Sequence, residues 1–222
     1  MRLALFDLDG TLMPGDSDHA FGQFLIDLGW ADAETHRAAN DRFYAAYLDG
    51  TLDIAAYTEF ATRPWRDRAP AALDAAMARF MAEVVQPELH AAALDLVREH
   101  QAAGDLVAIV TATNEFVTTP IARAFGVDTL IATQLQRDAH GRVTGALQGT
   151  PSFREGKIVR VEAWLAGQGL CLDGFERSQF YSDSTNDLPL MERVSHPVAT
   201  NPGPALAQIA QARGWPVLNL FT

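Results

Sequence analysis

Short apolar runs of strand length recur along this chain with helix-length segments between them, and that alternation constrains the fold more than any other feature. Residues 3–6, 106–110, 129–133, 179–182, 197–200 and 217–220 read as strands. Helices read at 119–125 and 156–166, and a further one ends near Ala103-Gly104. Strands joined by helical crossovers pair in parallel with right-handed connections, so the expected fold is α/β with a doubly wound parallel sheet. One exception is a hairpin, 133–137 with 142–147, turning at Asp138-Ala139-His140-Gly141.

The first crossover is far too long for a single helix. Phe21, Phe24, Leu25 and Leu28 repeat at helix spacing, and Phe43, Tyr44, Tyr47 and Leu48 do so again before Asp49-Gly50 breaks the run. A third helical stretch from Thr51 stops at Pro64, and no strand reads before about residue 84. The expectation is a catalytic α/β core of residues 1–14 and 85–222, with a helical cap, 15–84, where a lid over the sheet's carboxyl edge would sit.

A chain of 222 residues with 48% hydrophobic content can build one large core. No segment reaches the roughly 18 uninterrupted apolar residues of a membrane span. The chain starts directly on a strand, so a soluble, cytoplasmic protein is the expectation. Cys171 is the sole cysteine, which rules out an internal disulfide and a thiolate metal cluster. A net charge of −11 repels nucleic acid and anionic membranes, so neither is an expected partner. An anionic substrate would need local cations, and paired carboxylates invite a divalent metal.

Four stations carry chemistry. The first apolar run ends in Asp7-Leu8-Asp9-Gly10-Thr11, which delivers two carboxylates to the edge where ligands of parallel sheets bind. Val110-Thr111-Ala112-Thr113-Asn114 is a buried strand ending in hydroxyls and entering a helix, so hydroxyl and amide donors converge there. Lys157 lies at a helix start, where the macrodipole disfavours a cation. Asp183 and Asp187 follow another strand and, with Asn186, concentrate hard oxygen ligands. Each alone is also readable as a cap, a turn or a surface residue.

In this order and spacing the four stations resemble the haloacid dehalogenase superfamily of phosphatases. SDSTNDLPLM, the HGRVTG hairpin and FREGK further resemble its phosphoserine phosphatase-like branch, which carries a helical cap between the first two motifs. The resemblance implies a Mg²⁺-dependent phosphomonoesterase acting on a small phosphorylated metabolite. Asp7 would be the nucleophile, forming an aspartyl-phosphate, and Asp9 the general acid and base. Asp7, the main-chain carbonyl of Asp9, and Asp183 would hold Mg²⁺, with Asn186 and Asp187 orienting that shell. Thr111 and Lys157 would bind the phosphoryl oxygens. The acid Asp9 favours phosphate chemistry over dehalogenation, which needs no proton for an alkoxide. A phosphotransferase and a non-catalytic receiver-like protein are the competing readings.

The same resemblance bears on the substrate. Asp16, nine residues after Asp7, matches the family's acidic residue that grips a substrate amine. Ala61 stands where the phosphoserine-specific enzymes carry a carboxylate-binding arginine, with Arg63, Arg66 and Arg68 nearby as substitutes. Without that arginine, histidinol phosphate, which has the amine and lacks the carboxylate, fits better than phosphoserine. Phe43, Tyr44, Tyr47 and Trp65 are candidates to line an imidazole pocket. Asp18 and His19 receive no role.

Overall fold

The computed structural model describes residues 1–221, and its centre is a six-stranded sheet. In chain order the strands are β1 (Arg2–Phe6), β2 (Leu106–Asn114), β3 (Leu130–Thr133), the hairpin β4 (Leu135–Arg137) and β5 (Val143–Leu147), then β6 (Arg177–Ser182), β7 (His196–Thr200) and β8 (Val217–Leu218). The sheet order is β3-β2-β1-β6-β7-β8, and every pairing in it is parallel. The chain winds from β1 towards β3 and later from β6 towards β8, so the winding reverses between β1 and β6. That reversal opens a crevice at the carboxyl ends of those strands.

β1 carries no polar alternation because both of its faces are covered. Leu3 and Leu5 join the cluster under α7 (Glu155–Ala166), α8 (Leu188–Met191) and α9 (Pro204–Arg213), with Ala108, Val110 and Phe180 from neighbouring strands. Ala4 and Phe6 face the opposite cluster with Ile109 and Tyr181, under α5 (Ala91–Ala102) and α6 (Glu115–Ala124). Two structural departures from the sequence reading concern this region. β2 continues to Asn114, and α6 begins at Glu115 because the Asn114 side chain caps it, accepting from the amides of Phe116 and Val117.

The insertion after β1 holds four helices, α1 (Ser17–Asp27), α2 (Ala33–Leu48), α3 (Ile54–Thr62) and α4 (Pro70–Phe80), followed by a π-turn at Met81–Val85. They divide by packing. Phe21, Phe24 and Leu25 of α1 and Phe80 of α4 belong to the same buried cluster as β1 and α6. In α2 and α3 the buried residues are His36, Asn40, Thr58 and Thr62, none of them apolar. The pair α2–α3 therefore rests on the molecule with little of the hydrophobic stabilisation that fixes α1 and α4. No helix among the described residues is long and apolar enough to cross a membrane.

Candidate active site

Asp7 follows β1 directly, and its amide continues the ladder by donating to the Tyr181 carbonyl of β6 at 2.9 Å. The nucleophile candidate is thus held by sheet hydrogen bonding at the point where the winding reverses. Its side chain is buried, and Lys157 Nζ donates to Asp7 Oδ1 at 2.8 Å. The same ammonium donates to the Asp187 carboxylate at 2.7 Å, which also accepts from Ser182 Oγ at 2.8 Å. The two carboxylates offset the unfavourable position of Lys157 in the first turn of α7 and raise its pKa against the opposing effect of burial.

Asp183 comes to the other side of Asp7. The Thr11 hydroxyl lies 3.3 Å from both Asp7 Oδ2 and Asp183 Oδ1, and it accepts from the Asp183 amide at 3.1 Å. Gly10 makes this approach possible: its φ is +73°, and a Cβ there would stand 2.2 Å from Asp183 Oδ2. Burial raises the Asp7 pKa to about 7 against the pull of Lys157, with Asp187 and Asp9 adding to the rise. Burial, then repulsion from Asp7 and Asp187, holds Asp183 well above the usual carboxylate range. Lys157 pairs with Asp7 and Asp187 and not with Asp183, so the three carboxylates, when ionised, exceed the one ammonium by two charges. That surplus, made of hard oxygen donors, fits a divalent cation between Asp7 and Asp183. No three His, Cys, Asp or Glu side chains among the described residues close a cage of their own. The arrangement suits Mg²⁺, which takes few carboxylates and keeps several waters.

Asp9 is held from two directions. Its Oδ1 accepts from the Ser17 amide at 2.8 Å and its Oδ2 from the Thr113 hydroxyl at 2.9 Å. Burial, reinforced by the charge of Asp16, raises its pKa to about 7, where a carboxyl both gives and takes a proton near neutrality. Thr111 is buried beside it, and its Oγ1 accepts from the Thr113 amide at 3.2 Å. Accepting that bond leaves the Thr111 hydroxyl proton free to donate into the site. Asn201, in the left-handed region at φ 46°, braces the loop from behind by donating to the carbonyls of Gly10 and Thr11 at 2.9 and 3.0 Å.

The structure brings Asp7, Asp9, Thr111, Lys157, Asp183 and Asp187 together at one edge of the sheet. Asn186 points elsewhere. Its amide donates to the Tyr47 carbonyl at the end of α2 at 2.8 Å, so it ties the insertion to the core instead of touching the carboxylate cluster.

A pocket rises from this floor into the insertion. Asp16 and Asp18 line it with Asp7 and Asp9, against a wall that includes Phe43, Tyr44, Tyr47 and Tyr57. No lysine or arginine among the described residues lines it. Asp16 caps α1, accepting from the His19 amide at 2.8 Å, and burial raises its pKa to about 6. The substitute arginines lie away from the pocket. Arg63 and Arg68 edge a separate groove with Trp30 and Phe60. Arg66 is paired with Glu59 and packs against Gly145 of the hairpin, where a Cβ would stand 2.0 Å from its Nη1. Trp65 is not a pocket residue either: it is 2% exposed and stacks on Phe116, ring centroids 4.1 Å apart.

Asp18 and Tyr57 are among the pocket residues that the sequence left without a role, with His19, Asn40, Leu52 and Ile54. Asp18 is 6% exposed, accepts from Asn114 Nδ2 at 3.2 and 3.4 Å, and has Tyr57 as a neighbour in the pocket lining. The available signal was the spacing of Asp16 and Asp18 at a helix start, which also reads as ordinary capping. Burial, the largest cause, raises the Asp18 pKa to about 7. An unfolded aspartate titrates near 3.9, so between about pH 4 and 7 the folded chain binds the extra proton and its stability falls as pH rises. Asp18→Asn is therefore expected to raise the melting temperature at pH 8, by about 1–4 kcal/mol of stability, with the gain vanishing towards pH 4. Melting curves across that range check this, and an unchanged or lower value at pH 8 contradicts it.

A family model described as haloacid dehalogenase-like hydrolase matches residues 4–192. The chain is 46% identical over 218 residues to a histidinol-phosphatase of Neisseria meningitidis serogroup C, covering 98% of each. A crystal structure of a Bordetella pertussis protein superposes with a TM-score of 0.93 at 53% identity, covering 99% of both chains. A substrate-bound phosphoserine phosphatase superposes with a TM-score of 0.68 at 17% identity, covering 97% of this chain and 91% of the other, a likeness of fold.

Proposed function

The chain belongs to the haloacid dehalogenase-like hydrolases and is a phosphatase, and from that premise we propose that its substrate is histidinol phosphate. The observation that carries the reading is the pocket above the phosphoryl site, where the half-buried Asp16, the buried Asp18 and an aromatic wall face the leaving group without a lysine or arginine among the described residues. A substrate with an ammonium group is held there by Asp16, and a substrate carboxylate meets like charge and no bidentate partner. The similarity to the Neisseria meningitidis histidinol-phosphatase agrees with this choice.

In the proposed mechanism Asp7 attacks phosphorus in line with the ester oxygen. The Asp7 O–P bond forms as the P–O bond to the alcohol breaks, and Asp9 gives its proton to the departing alkoxide. Asp9 then takes a proton from water as that water attacks the aspartyl-phosphate, releasing inorganic phosphate and restoring Asp7. Lys157 and Thr111 hold phosphoryl oxygens, and Lys157 reduces the repulsion between the substrate and Asp7. Asp7, Asp183 and the Asp9 carbonyl would hold Mg²⁺, which when bound neutralises charge developing on the phosphoryl group. Residues 15–84 act as the cap over this site, with α2 and α3 as its loosely packed outer part.

The test is a comparison of kcat/KM on two esters. Histidinol phosphate is expected to exceed phosphoserine by roughly ten- to hundredfold, since an unpaired, partly desolvated carboxylate costs about 1–3 kcal/mol. Equal or better hydrolysis of phosphoserine would return the enzyme to the phosphoserine-specific reading.

A further inference from the structure

The pocket holds two carboxylates beyond the phosphoryl centre, and one ammonium accounts for only one of them. Asp16 immediately precedes Ser17, whose amide donates to Asp9 Oδ1 at 2.8 Å, so it stands towards the reacting end. Asp18 is fixed by Asn114 at the carboxyl end of β2, and Tyr57 from α3 lines the same pocket. Both of these neighbours are neutral, and no lysine or arginine among the described residues shares the pocket. A carboxylate that is 6% exposed with only neutral partners is a costly feature to keep in a folded protein. Three elements converge to hold it in one place, α1, α3 and the β2–α6 junction, in a pocket that Tyr57 and Phe43 also line.

The geometry points to Asp18 as a second anchor, a subsite for the N–H edge of a flat heteroaromatic ring carried by the leaving group, with Tyr57 and Phe43, packed edge to face on each other with centroids 5.3 Å apart, in the wall beside the ring. This rests on the histidinol phosphate reading and deepens it: Asp16 takes the ammonium and Asp18 takes the imidazole. The chemistry is direct. An imidazole presents N–H donors at its edge and carries charge easily near neutrality, so a buried carboxylate gains both a hydrogen bond and a countercharge. The ring finds aromatic neighbours of the kind that attract cations and pack with planar groups.

The experiment measures kcat/KM for histidinol phosphate and for phosphoethanolamine, which retains the amine and lacks the ring, on wild type, Asp18→Asn and Tyr57→Phe. The ratio of the two values is expected to fall about ten- to hundredfold in Asp18→Asn, mainly through KM for histidinol phosphate. It should fall less, by about threefold, in Tyr57→Phe, which keeps the carboxylate and loses the hydroxyl of its neighbour. Calorimetric binding of histidinol itself should weaken in the same order. A ratio preserved in both variants, or equal losses on both esters, would make Asp18 a purely structural bridge and overturn the assignment. Failure of the substrate reading looks different: wild type would then show no preference for histidinol phosphate over phosphoserine before any variant is made. If Asp18→Asn does not fold, the Tyr57→Phe ratio decides.

Discussion

Asp7→Asn is expected to abolish turnover, by a thousandfold or more, while the protein melts within a few degrees of wild type. The amide keeps the shape of the carboxylate and can still accept from Lys157 Nζ, now 2.8 Å from Asp7 Oδ1. The ladder bond from the residue 7 amide to the Tyr181 carbonyl is untouched, and Lys157 keeps its ion pair with Asp187. An amide oxygen does not displace an alkoxide from phosphorus, so the covalent route is closed and several kcal/mol of barrier return. Steady-state rates with histidinol phosphate, paired with a melting curve, check this. Activity above about a thousandth of wild type in a folded variant would contradict Asp7 as the nucleophile, once mass spectrometry has excluded deamidation of the new asparagine.

What the sequence made legible was whatever depends on residues close together in the chain or on strand ends. Asp7 and Asp9 follow a four-residue apolar run, Thr111 interrupts another, and Asp183 closes a third, so a parallel sheet alone brings them to one edge. The insertion was harder, because helices packed against an irregular neighbour are positioned by side-chain shape and not by a repeating ladder. Arg63, Arg66 and Arg68 lie within six residues of one another, yet none enters the pocket. Rotation along α3 and the turn after it sends them to an outer groove and to Gly145 of a hairpin more than seventy residues on. Trp65 misled for a similar reason. A large aromatic in a helical block packs in the core as readily as in a cleft, and its partner Phe116 comes from α6. Asp18 was hidden by a plausible local role at a helix start. Its significance depends on Asn114 and Tyr57, one 96 residues away along the chain and the other on a different helix.

The insertion's packing also bears on how the site works. α2 and α3 contribute no buried apolar residue, and their links to the core include single polar contacts such as Asn186 to the Tyr47 carbonyl. Gly50 sits beside this link at φ +69°, where a Cβ would be 2.9 Å from the Arg154 guanidinium and 3.3 Å from Asn186 Oδ1. A seam made of a few polar contacts, a glycine and the single ring contact of Tyr47 with Phe153 opens at lower cost than the aromatic cluster of Phe21, Phe24 and Phe80 beneath α1. The pocket residues proposed to choose the substrate are therefore carried partly on the less stable element and partly on the fixed one: Tyr57 on the first, Asp16 and Asp18 on the second.

Removal of divalent metal is expected to suppress turnover as completely as loss of Asp7, and Asp183→Ala should reproduce much of that effect at ordinary metal concentrations. The argument is one of charge. Asp7 and Asp187 pair with the single ammonium of Lys157, Asp183 adds a third carboxylate beside them, and burial denies all three the screening of water. In the metal-free protein Asp183→Ala removes one repelling carboxylate, so the variant should melt at or above wild type in EDTA. Added Mg²⁺ should then reverse the order, because wild type gains stability as RT ln(1 + [L]/Kd) while the variant, lacking one of two ligand carboxylates, gains little. Activity of the variant should return only at Mg²⁺ concentrations roughly a hundredfold higher, and Ca²⁺, which accepts looser geometry with more oxygens, should compete poorly with Mg²⁺ in supporting turnover. Melting curves with and without Mg²⁺ give a readout independent of catalysis. Full activity of wild type after exhaustive chelation, or an identical Mg²⁺ shift in both proteins, would place the compensating charge somewhere other than between Asp7 and Asp183.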